Sequence, residues 1–251
     1  MSPRRSYDQY CSAARALDAV GDRWTLLIVR ELLGGPRRYT DLHADLPGVS
    51  TDVLASRLKD MERDGLATRR RLPPPGAAYV YELTGRGREL LPVLLALGSW
   101  GAPELAERRP TDAVRAHWFA LPLLRALRER GETGEGLVEV GLEEGEFHLY
   151  VGADEDVTDA TDVRDVRDVR DAEDVTAAKD REAGGAREAG QGGRPVYGEG
   201  RAPREPDARL VLDTGTCTAL ARGELTVPDA VRAGRIDVSG DSALAKALRA
   251  G

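Results

Sequence analysis

The sequence predicts an α+β chain: a winged helix-turn-helix followed by a small α+β domain that a disordered, mixed-charge insertion interrupts. Three observations predict it. Residues 11–64 carry apolar side chains at helical spacing, in segments parted by Gly and Pro. Residues 66–83 and 137–152 each hold two short β-rich runs about a turn, the pattern of a hairpin. After Ala208, short strand-like and helix-like runs alternate, and the tract before them has almost no large apolar residue.

Taken in order, CSAARALDAV (Cys11–Val20) and WTLLIVRELL (Trp24–Leu33) read as helices. In the second, Trp24, Leu27, Ile28 and Leu32 share a face, Asp22 is placed to cap the start, and Gly34-Gly35-Pro36 stops it. Thr40–Leu46 reads as a short helix ended by the Pro47-Gly48 turn. Ser50 then caps a helix running to Asp64, with Gly65 as the residue that closes it. At about 100° per residue, Leu54, Leu58 and Met61 fall on one side of that helix. Asp52, Ser56, Lys59 and Arg63 fall on the other, flanked by Thr51, Ala55 and Arg57. Leu66–Leu72 and Ala78–Leu83 are two strands, and the prolines between them, which donate no hydrogen bond, belong to the tip.

Thr84 caps a helix through Leu97 in which Leu90, Leu91, Leu94, Leu95 and Leu97 are so apolar that a partner is expected, a second copy of the chain being the natural one. A further helix covers Asp112–Arg130, and Leu137–Gly152 forms a hairpin about Glu144-Gly145. Residues 153–207, which include DVRDVRDVRD at Asp162–Asp171, bury too little to offset their ordering entropy and are expected to be disordered. Ala208–Leu212 is a strand, Cys217–Arg222 and Pro228–Gly234 are helices, Arg235–Ser239 is a strand, and a last helix carries Leu244 and Leu248. The domains so read are 1–109, the connecting helix and hairpin 110–152, the insertion 153–207, and 208–251.

The formal charge of −7 is unevenly spread: residues 1–109 hold 17 Lys and Arg against 14 Asp and Glu, a net of +3, which leaves −10 for the rest. Charges act over roughly 8–10 Å in physiological salt, so the local pattern decides what the first part binds. A helix of about 15 residues is roughly 22 Å long, enough to lay its first turns in a major groove about 12 Å wide. Thr51, Asp52, Ala55, Ser56 and Arg57 are expected nearest the base edges, and the cap residue Ser50 is counted with them as DNA-binding. Arg38, Thr40, Lys59 and the basic strand Arg69-Arg70-Arg71 suit phosphates, although alternation puts Arg69 and Arg71 on one face and Arg70 on the other. The partner expected is double-stranded DNA with a pseudo-palindromic operator, bound by a homodimer.

Other function classes fare poorly. There is no phosphate-cradling Gly-x-x-x-x-Gly-Lys loop and no Gly-x-Ser-x-Gly elbow, so no enzyme and no cofactor is expected. The histidines His43, His117 and His148 are scattered, and no His/Cys group has zinc spacing, so no metal site is expected. The opening MSPRRSYDQY leads into no apolar run, and the longest such runs are far short of a membrane span, which predicts a cytoplasmic protein.

Residues 10–101 resemble the HxlR-type, MarR-like winged-helix regulators of bacteria. The resemblance rests on Tyr10-Cys11, DRWTLLIVRELLGGPRRYTDL (Asp22–Leu42), GVSTDVLASRLKDMERDGLATR (Gly48–Arg69), YELTGRGRELLPVL (Tyr81–Leu94) and Trp100-Gly101. It implies a DNA-binding regulator, expected to be a repressor. It also gives Cys11 a second reading beside that of a small packing residue: some members sense oxidants or electrophiles at the Tyr-Cys position, and a thiol near a helix N-terminus is acidified. Residues 137–250 resemble the C-terminal half of sterol-carrier-protein-like domains through GEL (Gly223–Leu225), Ala230, Gly234, Ile236 and Gly240-Asp241. That implies an apolar small-molecule effector, or a lipid-carrying module. Trp118, beside His117 and Phe119, is a candidate lining residue for such a pocket, while Trp24 and Trp100 suit the core or a dimer interface.

Overall fold

A computed structural model describes residues 6–73, 78–130, 134–152 and 194–250. Its first part runs α1 (Ser12–Val20), α2 (Thr25–Leu33), β1 (Arg37–Arg38), α3 (Tyr39–Asp45), α4 (Thr51–Arg63), β2 (Ala67–Arg71) and β3 (Tyr79–Leu83). The helices bury the faces that the apolar spacing predicts. Ile28 and Leu32 of α2, Leu42 of α3, and Leu54, Leu58 and Met61 of α4 meet Leu66 and Leu83 in one core. Strands β2 and β3 pair antiparallel with Arg69 opposite Tyr81, and β1 adds a third, two-residue strand on the far side of β3. Arg37 and Arg38 carry no alternation of apolar and polar residues, so nothing local announced that strand. The tip residues Pro74, Pro75 and Gly76 lie outside the described residues.

The single helix expected from Thr84 to Leu97 is two. Thr84 caps a short α5 (Gly85–Arg88), accepting from the Gly87 amide, and α6 begins afresh as Leu91–Gly101. Pro92 is the cause: it lacks an N–H and is tolerated only in a helix's first turn, so a new helix starts around it. α6 also runs further than expected, carrying Trp100 on its last turn. The helix expected at Asp112–Arg130 is likewise shorter. Residues 112–115 are irregular, a 3-10 turn follows at Ala116–Phe119, and α7 spans Ala120–Glu129 with Pro122 in its first turn.

The second part is a five-stranded sheet of β4 (Gly136–Leu142), β5 (Gly145–Val151), β6 (Tyr197–Glu199), β7 (Ala208–Leu212) and β8 (Ile236–Ser239), in the order β6-β5-β4-β7-β8. Only β4 and β7 run parallel; the hairpin about Glu144-Gly145 has the predicted pairing, Val140 opposite Phe147. Helix α7 lies against β5, and the terminal α10 (Ala243–Ala250) lies against β7 and β8. Between them α8 (Thr214–Ala221) and α9 (Val227–Arg232) follow β7, each capped by the side chain before it, Asp213 and Thr226. Gly223, Gly234 and Gly240, all with positive φ, end α8, α9 and β8, so the glycines of the stretch from Gly223 to Asp241 mark chain reversals.

Within the expected insertion the boundary moves. Residues 153–193 lie outside the described residues, but residues 194–207, also assigned to it, are ordered. They form β6, and the Val196 amide donates to the Leu33 carbonyl at 3.0 Å, tying the sheet to the end of α2. The Tyr197 ring is fully buried over Gly34, where a Cβ would stand 2.8 Å from it, and its hydroxyl donates to the Arg30 carbonyl at 2.8 Å. The two parts therefore share one core. Among the described residues no helix is long and apolar enough to cross a membrane.

Candidate nucleic-acid interface

α4 is held in place from both ends. Ser50 Oγ accepts from the Val53 amide at 3.3 Å, which occupies the group at the cap. The Tyr39 hydroxyl donates to the Thr51 carbonyl at 2.7 Å and pins the first turn to α3. At the far end Gly65 takes φ +68°, a conformation that costs a non-glycine residue, and the Leu66 amide returns to the Met61 carbonyl at 2.8 Å. With Leu54, Leu58 and Met61 buried, Thr51, Asp52, Ser56 and Lys59 stand exposed and Ala55 is half-buried beside them. A run of short polar side chains on a rigid, exposed N-terminal half is what close approach to base edges requires.

Arg57 stands apart from this group. Its guanidinium lies 2.8 Å from Asp60 and 3.4 Å from Asp22, in the turn between α1 and α2, and only about a quarter of the side chain is exposed. In this arrangement it braces α4 against its neighbours instead of pointing outward. The expectation that Arg57 stands ready at a base is corrected accordingly; the spacing placed it on a flank, and two aspartates claim it there.

The wing divides as alternation requires. Arg70 makes a two-pronged contact with Glu82 across the hairpin, at 3.1 and 3.2 Å, and this pairing holds its charge in place and raises its pKa further. Arg69 and Arg71 are exposed on the opposite face. The Arg69 guanidinium lies over the Tyr79 ring, 3.9 Å from its centre. Arg38 and Thr40 are exposed at the start of α3, the Thr40 hydroxyl donating to its neighbour Asp41 at 3.2 Å. Arg69 and Arg71 thus stand exposed on one face of the wing, whereas Arg70 is ion-paired on the other.

Two further features lie away from the reader helix. Cys11 is exposed just before α1, and the backbone amides of Ala14 and Ala13 lower its thiol pKa. Val93, Leu97 and Trp100 of α6, at positions i, i+4 and i+7, are 46%, 45% and 82% exposed. That is one apolar face of the helix left partly open among the described residues. Trp24 is half-buried against the core, as expected.

A polar cluster between the two parts went unforeseen. Glu31, in the apolar helix α2, is fully buried and 2.8 Å from His117 Nε2. Its other oxygen accepts from Arg30 at 2.8 Å and from Trp118 Nε1 at 3.1 Å, so the indole N–H of Trp118 is engaged here. Burial alone pushes the Glu31 carboxyl up, but the His117 hydrogen bond and the Arg30 charge outweigh it and hold the group below the ordinary range. Asp45, at the end of α3, is 8% exposed; burial and then the charges of Glu199 and Glu31 push its carboxyl up. His117 Nδ1 faces Glu199 at 3.7 Å, and Arg37 binds Glu199 at 2.6 Å. Sequence periodicity offers one clue: Glu31 lies seven residues from Trp24, so it sits on the core stripe of α2, where a charge demands partners.

Comparison with known proteins addresses the first part. A family model described as HxlR-like helix-turn-helix matches residues 19–109. The HTH-type transcriptional regulator YvaP of Bacillus subtilis is 37% identical over 86 residues, 34% of this chain and 80% of that protein. The regulator sll1512 of Synechocystis is 37% identical over 97 residues, 39% of this chain and 72% of its own. YodB of Bacillus subtilis is 33% identical over 99 residues, covering 39% and 86%. Its solved reduced form aligns with 37% of this chain and 92% of that one, at 31% identity and a TM-score of 0.34.

Proposed function

The chain belongs to the HxlR-like helix-turn-helix family of transcriptional regulators, and from that premise we propose that it is a sequence-specific DNA-binding repressor that acts as a homodimer. The observation that carries the reading is the exposed row Thr51, Asp52, Ser56 and Lys59 on a helix fixed by its buried face, next to a wing that presents Arg69 and Arg71. Asp52 suits cytosine N4, Ala55 a thymine methyl, and Ser56 either hydrogen-bonding partner, while Lys59, Arg38, Thr40 and the wing pair suit phosphates. The apolar face of Val93, Leu97 and Trp100 supports self-association, since exposed apolar residues in one continuous row are costly on a lone subunit. A two-fold dimer places its reader helices about 34–36 Å apart, so the operator is a pseudo-palindrome, and occupying it excludes transcription.

Fluorescence anisotropy with the chain's own upstream DNA and with random duplex tests this directly. The reading predicts tighter, salt-dependent binding to the upstream fragment; equal affinity for both contradicts it.

A second reading concerns the effector. An apolar cavity of about 260 Å³ lies between α6 and the second part, lined by Leu94, Leu95, Leu105 and Leu121 with Arg125 at its edge. It favours a small apolar effector, which must then shift operator affinity by linkage. The alternative switch is Cys11, favoured by its exposure and lowered thiol pKa: oxidation is then expected to change DNA affinity, and Cys11→Ser to abolish the response.

A further inference from the structure

We infer that Glu31, Asp45 and His117 form a binding site for one divalent transition-metal ion at the junction of the two parts of the chain. Each residue offers one ligand atom, and these atoms all lie within 4.8 Å of one another. Around an ion with bonds of about 2.1 Å, neighbouring ligands stand roughly 3.0–3.4 Å apart and opposite ones about 4.2 Å. Glu31 Oε2 and His117 Nε2, at 2.8 Å, are already near the spacing of adjacent ligands. The Asp45 carboxylate, within 4.8 Å of the other two ligand atoms, closes the third position by rotation of its side chain. The ion takes the place of the hydrogen now between Glu31 and His117, which leaves to solvent as a proton.

Two further observations separate this cluster from an ordinary buried ion pair. The first is Asp45: it is 8% exposed, and among the described residues its carboxylate accepts no hydrogen bond and has two long ion pairs, 3.5 Å to Arg115 and 3.9 Å to Arg37. A buried carboxylate normally finds hydrogen-bond donors. The second is the outer ring of partners that metal ligands need to hold their orientation. Arg30 and Trp118 fix the Glu31 oxygen that points away from the site. Glu199, itself held by Arg37, lies 3.7 Å from the other nitrogen of His117, beyond hydrogen-bond length but near enough to orient the ring once it closes in. One imidazole with carboxylates suits zinc, manganese, iron(II) or nickel, and the closeness of Arg30, Arg37 and Arg115 lowers the affinity relative to a site without cations.

The placement gives the ion something to do. Glu31 and Asp45 belong to α2 and α3, the latter ending five residues before the Ser50 cap of α4, whereas His117 and Glu199 belong to the second part. A bound ion joins the two across their shared core.

The test uses full-length, chelator-treated protein carrying Cys11→Ser, so that the exposed thiol contributes no ligand, titrated with cobalt(II) and read by its visible absorption. We expect one equivalent to bind, and both His117→Gln and Asp45→Asn to weaken binding roughly 10-fold or more. Asp45→Asn gives up no hydrogen bond, so it decides the matter even if His117→Gln fails to fold. Absence of a cobalt band in the Cys11→Ser protein, or an affinity unchanged by Asp45→Asn, overturns the site.

Discussion

Replacing Arg69 and Arg71 together with alanine isolates the electrostatic share of DNA binding. Both side chains are exposed on one face of the wing, whereas Arg70 is bound to Glu82 on the other. Each cation that neutralises a phosphate contributes about 0.9 to the slope of log affinity against log salt. Two arginines in each subunit of a dimer amount to roughly 3.6 of that slope. Between 50 and 200 mM salt, a fourfold change, the wild type should therefore lose about 100-fold more affinity than the double variant. The assay is fluorescence anisotropy with a labelled operator duplex over a salt series, with Arg70→Ala as the internal control. Arg70→Ala should follow the wild-type slope. If the double variant runs parallel to the wild type, or Arg70→Ala flattens the slope as much, the assignment of the two wing faces is wrong.

Three further outcomes follow from the packing and the titrating groups. Leu54→Ala empties a fully buried site beneath the reader helix and should cost about 2–5 kcal/mol in chemical denaturation, with DNA affinity lost as the helix loosens. Cys11, exposed and with a lowered thiol pKa, should be alkylated at neutral pH long before Cys217. Burial, with the charge of Asp213, pushes the Cys217 thiol up to about 12, so mass spectrometry should find it modified only after unfolding. Asp213 caps α8 by accepting from the Thr216 amide at 2.5 Å, and Asp213→Ala should cost about 1 kcal/mol near neutral pH. That hydrogen bond depresses the Asp213 carboxyl, so its stabilisation is present above the unfolded-state value and is lost as pH falls through the folded one. Denaturation curves of the two proteins should begin to converge as pH falls below about 4 and coincide only below the depressed folded-state value.

Where a feature is set by neighbours in sequence, it was legible. The Leu54/Leu58/Met61 stripe, the Ser50 cap, the Gly65 stop and the Val140–Phe147 pairing are consequences of periodicity and turn chemistry, and the structure has each. Pro92 was equally visible, and its break in the helix after Thr84 follows from its missing N–H once its position within a turn is considered. What the sequence concealed depends on distant partners. β6 is three residues inside a charged, glycine-rich tract, and it exists because β5 offers an edge and α2 a place for the Tyr197 ring. Arg57 and Arg70 read as free cations until Asp22, Asp60 and Glu82 were brought beside them. The cluster of Glu31, Asp45, His117 and Glu199 spans most of the chain, and scattered histidines gave no spacing signal for a metal. Only the charge on the core stripe of α2 pointed to it.

Selection of bound DNA from a random duplex pool, followed by footprinting of the enriched sequence, tests the central claim most directly. The account predicts a pseudo-palindrome with two protected half-sites about 34–36 Å apart, roughly one helical turn, and loss of sequence preference when Asp52 and Ser56 are replaced by alanine. A pool that remains random after selection, or one whose enriched sequence binds the Asp52→Ala/Ser56→Ala variant with undiminished preference, contradicts the role given to the helix from Thr51 to Arg63.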